Sequence, residues 1–428
     1  MTGMHGTSYH QFPLRRFIRS ITDGPFGSSL TSSHYTDEGA RVIRLGNIGS
    51  AQFKDGDAAY ISLEYFKQLR QHEVRGGDLI VAGLGDGNHP VGRACIAPET
   101  LGPAIVKADC FRMRLDEERM THQFAAWALS SSFVSDQVAT LTRGSTRARI
   151  NLEVAREIRL PVPPVGMQRR IVDFLDAETG SMALLLEARN RQLNALAELW
   201  NAQLATRVED LISHHGLVPL RRVIRSVEQG WSPQCDDAQA GPDEWAVLKT
   251  SAVSSGVFRP LEHKKLPADL QPDLRYRILD GDLLMTRGSG SVEHVGMPTV
   301  AHTEGRSLLL SDLLYRVRTD RGWNPEFIAL MLRSRPVRGF MTLLLRGQSG
   351  QTIKLRSEDI KAIDVPAVPA EKQARLVTDL SAVEQGIEAA RAAIQRSATL
   401  LAERRQALIT AAVTGQLDVT TAGRAAAV

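Results

Sequence analysis

Pro13-Leu-Arg-Arg-Phe-Ile-Arg-Ser-Ile-Thr-Asp-Gly24 returns, 206 residues later, as Pro219-Leu-Arg-Arg-Val-Ile-Arg-Ser-Val-Glu-Gln-Gly230. Outward from these two stretches the agreement continues. Arg75–Val81 (RGGDLIV) matches Leu279–Met285 (LDGDLLM), and Arg143-Gly144 matches Arg346-Gly347. Arg149-Ile-Asn-Leu matches Thr352-Ile-Lys-Leu, while Pro161, Pro164 and Gln168 match Pro366, Pro369 and Gln373. The order is kept and the offset drifts only between 203 and 206 residues. Chance does not hold five blocks in register, so one module has been duplicated with small changes of loop length.

Both copies follow one plan. The first 150 or so residues of each are short mixed segments. Arg41-Val-Ile-Arg-Leu45 and Asp78-Leu-Ile-Val81 cluster apolar residues between Gly and Asp turns, as strands do. His122–Val138 and Pro325–Leu345 have amphipathic helical spacing. Pro161-Val-Pro-Pro164 and Pro366-Ala-Val-Pro369 then act as stops, because proline lacks a donor and breaks helix. A long helical segment follows each stop, about Met167–Ile212 and about Glu371–Val413.

The second of these segments repeats Leu380, Val383, Ile387, Ala390, Ile394, Leu401 and Leu408 in steps of three and four, a heptad seam with gaps at Ser397 and Arg404. The first carries Met182, Leu185, Leu193, Leu196, Trp200, Leu204, Val208 and Leu211, with Thr179-Gly180-Ser181 as an interruption and potential kink. A helix of ~44 residues is about 65 Å long, too long to bury its stripe on one small domain. Pairing the helices with each other solves this. Since each follows its domain in the same order, a pseudo-twofold pairing is antiparallel. The expected fold class is therefore α+β: two tandem pseudo-repeated α/β domains separated by two long helices that pair as an antiparallel coiled coil. The expected boundaries are 1–165 and 216–369 for the domains, 166–215 and 370–418 for the helices, and 419–428 for a disordered tail.

Composition sets the outer limits. A chain of 428 residues exceeds one core and fits two domains of ordinary size. Hydrophobic residues at 43% and charged residues at 23% are usual for a globular protein. Met1–Arg16 has no signal-like apolar stretch, and no run approaches the roughly 20 apolar residues of a membrane span. Cys95, Cys110 and Cys235 have no paired or metal-type spacing, which fits a reducing cytoplasm. The net charge is +4 with a pI of about 9.0, and only nine of the 52 basic residues are Lys. Arginine's planar fork grips phosphates and guanine edges in two places, so nucleic acid is compatible with this balance but not demonstrated by it.

Catalytic signatures are missing. Gly83-Leu-Gly-Asp-Gly-Asn88 and Gly288-Ser-Gly-Ser-Val-Glu293 are Gly-rich, but neither completes GxGxxG or ends in the GK[ST] of a phosphate loop. There is no HExxH and no GxSxG. His34, His89, His294 and His302 have no acidic or Cys partner at ligand spacing, and His214-His215 reads as a solvated helix end. Asp78 and Asp282 follow Gly and precede apolar runs, which is turn chemistry. The chain is expected to be a non-enzyme with no metal and no cofactor of its own.

The order of domain, PxxP…Q stop and long helix, given twice, resembles the specificity (S) subunit of type I restriction–modification systems. Glu403-Arg-Arg-Gln-Ala-Leu-Ile-Thr-Ala-Ala-Val-Thr-Gly-Gln-Leu-Asp-Val419 is the strongest block and is similar to the end of that family's second helical region. Gly77-Asp-Leu-Ile80, Gly281-Asp-Leu-Leu284 and Ile360–Gln373 match too, so the resemblance runs from about Pro13 to Val419. Two departures stand out: Met167 replaces the family's Glu before Gln168, and Thr179-Gly180-Ser181 falls where the family's helix continues smoothly.

The resemblance implies two target recognition domains, each reading half of a split double-stranded DNA sequence. It implies helices that set the gap and dock two methyltransferase (M) subunits, and restriction (R) subunits in the full complex. S-adenosylmethionine, ATP and Mg then belong to those partners. Base readout needs hydrogen-bonding side chains on loops that enter the major groove. Candidates in the first domain are Arg44, Asn47, Asn88, Arg93, Arg143, Arg147 and Arg149. Those in the second are Lys249, Arg287, Ser289, Arg346, Gln348, Gln351 and Lys354. The basic turn Thr142–Arg149 suits phosphate. Ala82–Pro90 and Thr286–His294 hold matching places with different chemistry, as loops reading different half-sites should. Candidate docking residues are Leu185, Leu193, Leu196, Trp200, Leu380, Ile387, Ile394, Leu401 and Leu408. Two other readings compete: a DNA-binding subunit of another defence complex, and a coiled-coil scaffold that does not bind DNA.

Overall fold

The repeated opening motif builds the same corner twice. Leu14 and Leu220 are fully buried, and their amides bond Ile158 O and Ile363 O at 2.8 Å each. Pro13 pairs with Arg159 and Pro219 with Asp364 in matching two-stranded ribbons. Each motif ends in glycine for one steric reason. A Cβ on Gly24 would lie 2.1 Å from the Lys107 carbonyl carbon, and one on Gly230 would lie 2.1 Å from Leu310 O. The RGGD and LDGD turns likewise need Gly77 and Gly281, whose φ values are +79° and +85°.

These features belong to a computed structural model that describes residues 9–86, 89–141, 148–345 and 353–421. It divides into two units, Met1–Asn190 with Gln395–Val428, and Arg191–Ile394. In the first unit a four-stranded antiparallel sheet has the order Ile18–Thr22, Cys110–Leu115, Leu79–Ala82, Ala94–Ile96. The second unit repeats it as Ile224–Gln229, Leu314–Thr319, Leu283–Thr286, Pro298–Val300. The register is repeated as well, with Met113 opposite Leu79 and Val317 opposite Leu283.

A second sheet differs between the units. The first unit has five strands, among them Ala40–Ile43 parallel to Ala104–Val106. The second has three, with Trp245–Leu248 parallel to Ser307–Leu309.

The amphipathic stretches expected as single helices are each broken. His122–Leu129 and Ser132–Leu141 are separate, as are Pro325–Arg333 and Arg335–Leu345. At both breaks a buried serine caps the ending helix: Ser131 Oγ donates to Ala128 O and Ser334 Oγ to Met331 O, at 2.6 Å each. Hydrophobic periodicity carries across such a break, which is why the sequence reads as continuous.

Each unit takes opposite halves of the two long helices, Val165–His215 and Ala370–Thr414. In the first unit Ile171 and Leu175 share a core with Ile409, Ala412 and Val413. In the second, Leu204, Val208 and Leu211 share a core with Leu376, Val377 and Leu380. Within each unit the start of one helix thus meets the end of the other, the antiparallel arrangement the chain order predicts.

Three helix expectations need correction. The central helix runs 51 residues without a break at Thr179-Gly180-Ser181. Thr179 is buried and its hydroxyl donates to Leu175 O at 2.6 Å, while a Cβ on Gly180 would meet nothing. One glycine costs a helix about 1 kcal/mol, too little to stop one so long. The seam of the C-terminal helix follows Leu380, Glu384, Ile387, Arg391, Ile394, Ala398, Leu401, Arg405 and Leu408, leaving Val383 42% exposed. It therefore has no gaps at Ser397 and Arg404; polar side chains in the seam hide its period. Arg333 holds Glu384 at 3.0 and 3.2 Å, and the Arg405 guanidinium lies 5.7 Å from the Trp127 ring centroid. Finally, the expected tail begins in ordered structure, since Val419 is buried in the first unit's core.

Candidate nucleic-acid interface

The four-stranded sheets position two loops in each unit, and main-chain pairing joins them. In the first unit the chain leaves Leu79–Ala82 at Gly83. Ile150 N donates to Gly83 O at 2.8 Å and Gly85 N to Ala148 O at 3.0 Å, with Leu84 bridged to Arg149. In the second unit Gly288-Ser289 pairs with Ile353-Lys354, and Leu355 N donates to Arg287 O at 2.8 Å. The Gly-rich loop and the segment closing the basic turn, about 60 residues apart in sequence, are thus stitched together in both copies. A sequence separation of that size gives no local signal of contact.

The candidate residues divide by what their side chains touch. Asn88, Arg143 and Arg147, and in the second unit Arg346, Gln348 and Gln351, lie outside the described residues. Arg149 is half-exposed and its Nε donates to Asp109 Oδ1 at 2.7 Å, which aims it from the paired segment. Arg44 is partly exposed and ion-paired with Asp57.

Asn47 and Arg93, expected as base readers, do not face solvent. Asn47 is fully buried; its amide donates to Lys54 O at 2.8 Å and Asp57 O at 3.0 Å and accepts from Arg44 N at 2.9 Å. It ties a turn, and every one of those bonds would be lost on rotating outward. Arg93 is 5% exposed. Its guanidinium donates to Ile48 O at 2.8 Å, Pro90 O at 3.0 Å and Leu45 O at 3.0 Å. It staples the Gly-rich loop to the 45–48 turn, and burial pulls its pKa down.

Behind Arg149 stands an acid pair. Asp23 accepts from Gly24 N at 2.7 Å and Asp109 N at 3.0 Å. Burial raises its pKa to about 6, with the Asp109 carboxylate adding to the rise and the backbone donors opposing it.

In the second unit different residues hold the same place. Thr286 is fully buried; its hydroxyl donates to His294 O and accepts from Met297 N at 2.8 Å, bracing the loop as Arg93 does in the first copy. Arg287 lies over the Tyr315 ring at 5.9 Å and donates to Asp312 O at 3.3 Å. Asp312 also lines a cavity of about 440 Å³ with Ser232, Gln234, Lys249 and Lys264. Lys249 and Lys264 stand 3.7 and 3.6 Å from Asp237. Lys249 thus lines this cavity, where Ser232, Gln234 and Lys264 join it without any motif to announce them, while Arg287 only touches Asp312 at its rim through the main-chain oxygen. Ser289 caps Ser291 N at 3.2 Å, and Lys354 is exposed on the paired strand.

Along the long helices Leu193, Leu196, Trp200, Ile387, Ile394, Leu401 and Leu408 are half-buried on the inward stripe, and Leu380 is buried. Leu185 instead points out, with Leu186 taking its place in the stripe. Leu184 at 68% and Leu400 at 64% exposure are the most open of the large apolar residues along these helices. Among the described residues no helix is long and apolar enough to cross a membrane, and no cluster of His, Cys, Asp or Glu could hold a metal.

The chain is similar to proteins of one known family. Residues 36–195 match the sequence model of the family described as the type I restriction modification DNA specificity domain. The type I restriction enzyme EcoKI specificity subunit of Escherichia coli is 24% identical over 374 residues, covering 84% of this chain and 78% of that protein. The EcoEI specificity subunit of Escherichia coli is 26% identical over 160 residues, 37% of this chain and 27% of that protein. A chain from a structure concerned with complex assembly and conformational transition of the type I R-M system superposes with a TM-score of 0.65 at 17% identity. That superposition covers 96% of this chain and 98% of the other.

Proposed function

We propose, from this chain's membership of the specificity-subunit family of type I restriction–modification systems, that each of its two domains reads one half of a bipartite DNA target. The chain is the non-catalytic DNA-recognition subunit of a larger restriction–modification complex. In this reading the recognition domains are 1–165 and 216–369, and the helical regions 166–215 and 370–418 fix the gap and dock two methyltransferase subunits. Those subunits bind S-adenosylmethionine and methylate adenine. Restriction subunits add ATP- and Mg-dependent cleavage, and the assembly works in the cytoplasm.

The observation that carries the reading is the stitched pair of loops, built alike in both copies but furnished differently. Arg149 is aimed by Asp109 in one; Arg287, Ser289 and Lys354 stand together in the other. Two readers with one scaffold and different side chains suit a target with two different halves. Half-sites one helical turn apart are separated by roughly 34–36 Å, and linking the readers raises the effective concentration of the second contact. Arg44, Lys249 and the basic turn with Arg143 and Arg147 would serve phosphates, whereas Asn88, Arg346, Gln348 and Gln351 remain candidates for bases. The exposed Leu184, Leu185 and Leu400 support partner docking along the outer faces of the helices.

Methylation mapping of a host with and without this chain tests the proposal, together with purification of its partners. Loss of one bipartite adenine-methylation motif and co-purification of methyltransferase subunits are expected. An unchanged methylome would overturn it.

A further inference from the structure

The two glutamines of the proline stops do something no loop residue does. Gln168 and Gln373 are 0% and 1% exposed, each in the opening turns of a long helix. Gln168 Oε1 accepts from Thr121 N at 2.9 Å, and its Nε2 donates to Arg119 O and Pro163 O at 2.9 Å each. Gln373 Oε1 accepts from Asn324 N at 2.8 Å, and its Nε2 donates to Val368 O at 2.8 Å and Gly322 O at 3.4 Å. Thr121 and Asn324 are themselves the N-caps of the helices that pack on the four-stranded sheets. Each glutamine therefore locks the root of a long helix to the cap segment of its own domain's core helix by two bonds across 47 to 51 residues of sequence, and its third bond ties it to the proline stop.

Glutamine is the residue this socket requires. It offers one acceptor and two donors to one buried N–H and two buried carbonyls, leaving nothing unpaired. Glutamate would set a charge against two carbonyl oxygens, and an apolar side chain would orphan all three groups. The surrounding contacts through Ile171, Leu175, Leu376 and Val377 are apolar and non-directional. Hydrogen bonds weaken steeply off-axis, so the directional restraint at the root comes from the amide. The leverage is large: a tilt of about 3° at the root of a rod of 51 residues moves its other end by about 4 Å. One base pair is about 3.4 Å of DNA.

We propose that Gln168 and Gln373 are positioning residues that hold each long helix at a fixed angle to its own recognition domain, and so set the gap length the protein accepts. The proposal rests on the bipartite reading above. Its test uses the full chain reconstituted with its methyltransferase subunits. The substrates are duplexes carrying the mapped half-sites, with gaps one base pair shorter and longer than the native one. Gln168→Met and Gln373→Met are expected to keep the half-site sequences and the native circular dichroism while discrimination between gap lengths falls about tenfold. Variants that fold and keep the wild-type gap preference, or lose methylation equally at every gap, overturn the clip. A wild-type complex indifferent to gap length overturns the bipartite reading itself, and the clip with it. Should the Met variants not fold, hydrogen exchange on the wild-type chain decides. The Thr121 and Asn324 amides are expected to exchange as slowly as those of Cys110–Leu115, and fast exchange at both overturns the proposal.

Discussion

The two units share a sheet and differ in almost everything hung from it. Ile18–Thr22 and its three partners return in the second copy with order and register intact. The second sheet has five strands in one copy and three in the other. The loop beside it is braced by a buried arginine in one and a buried threonine in the other. After duplication, packing constrains whatever must close a core, since interiors tolerate little change of volume. A reading loop needs only to be held, and many side chains can hold it.

Exchange of the reading loops probes the difference most directly. Replacing Ala82–Pro90 and Thr142–Arg149 with Thr286–His294 and Arg346–Lys354 should change the first half-site in a methylation map altogether, leaving the other half as it was. A map with both halves unchanged would mean these loops do not read. Next come the two braces. Arg93→Met should destabilise the first unit by about 3 kcal/mol, because several buried carbonyls lose their donor at once. Denaturant unfolding followed by amide exchange in the two units would measure it; equal loss in both would show that the brace is not local. Thr286→Val should cost the second unit less, about 1–2 kcal/mol, since one carbonyl and one amide are orphaned.

The smallest expected effect is a pH step peculiar to the first copy. The Asp23 pKa of about 6 in the folded chain lies above the unfolded value, so the folded state binds the proton more tightly. Stability from this group is fully present below about pH 4 and is lost as pH rises through 6. The corresponding residue of the second copy is Gln229, which cannot titrate. Asp23→Asn keeps an acceptor for Gly24 and Asp109, so its melting temperature should gain on the wild type between pH 4 and 7. A variant that loses ground over that range would contradict the raised pKa. Partial exposure of Asp23 keeps the step small.

Much of this architecture is legible in one sequence because it is written twice. Leu14 with Leu220, Gly24 with Gly230 and Gln168 with Gln373 stand at near-constant offsets, and all six have the same structural duty in both copies. The long helices show in their apolar spacing. Their seam is obscured at Glu384, Arg391 and Arg405, where charge replaces the hydrophobic signal. The candidate site is less legible. Asn47 and Arg93 carry the side chains of base readers yet spend every bond inward. Gln234 and Lys264 reach the second unit's cavity without a motif.

By itself the sequence determined the duplication, the two domains with their long helices, and the want of catalytic motifs. These rest on periodicity, offset and residue type, all local or countable. Only the tertiary structure decided which polar side chains face solvent, that the start of the Gly-rich loop pairs with the segment closing the basic turn, and that the proline-stop glutamines fill buried sockets. Those outcomes depend on hydrogen bonds between residues tens of positions apart. Whether a buried donor finds its acceptor is settled by the packing of the whole unit rather than by any stretch of chain.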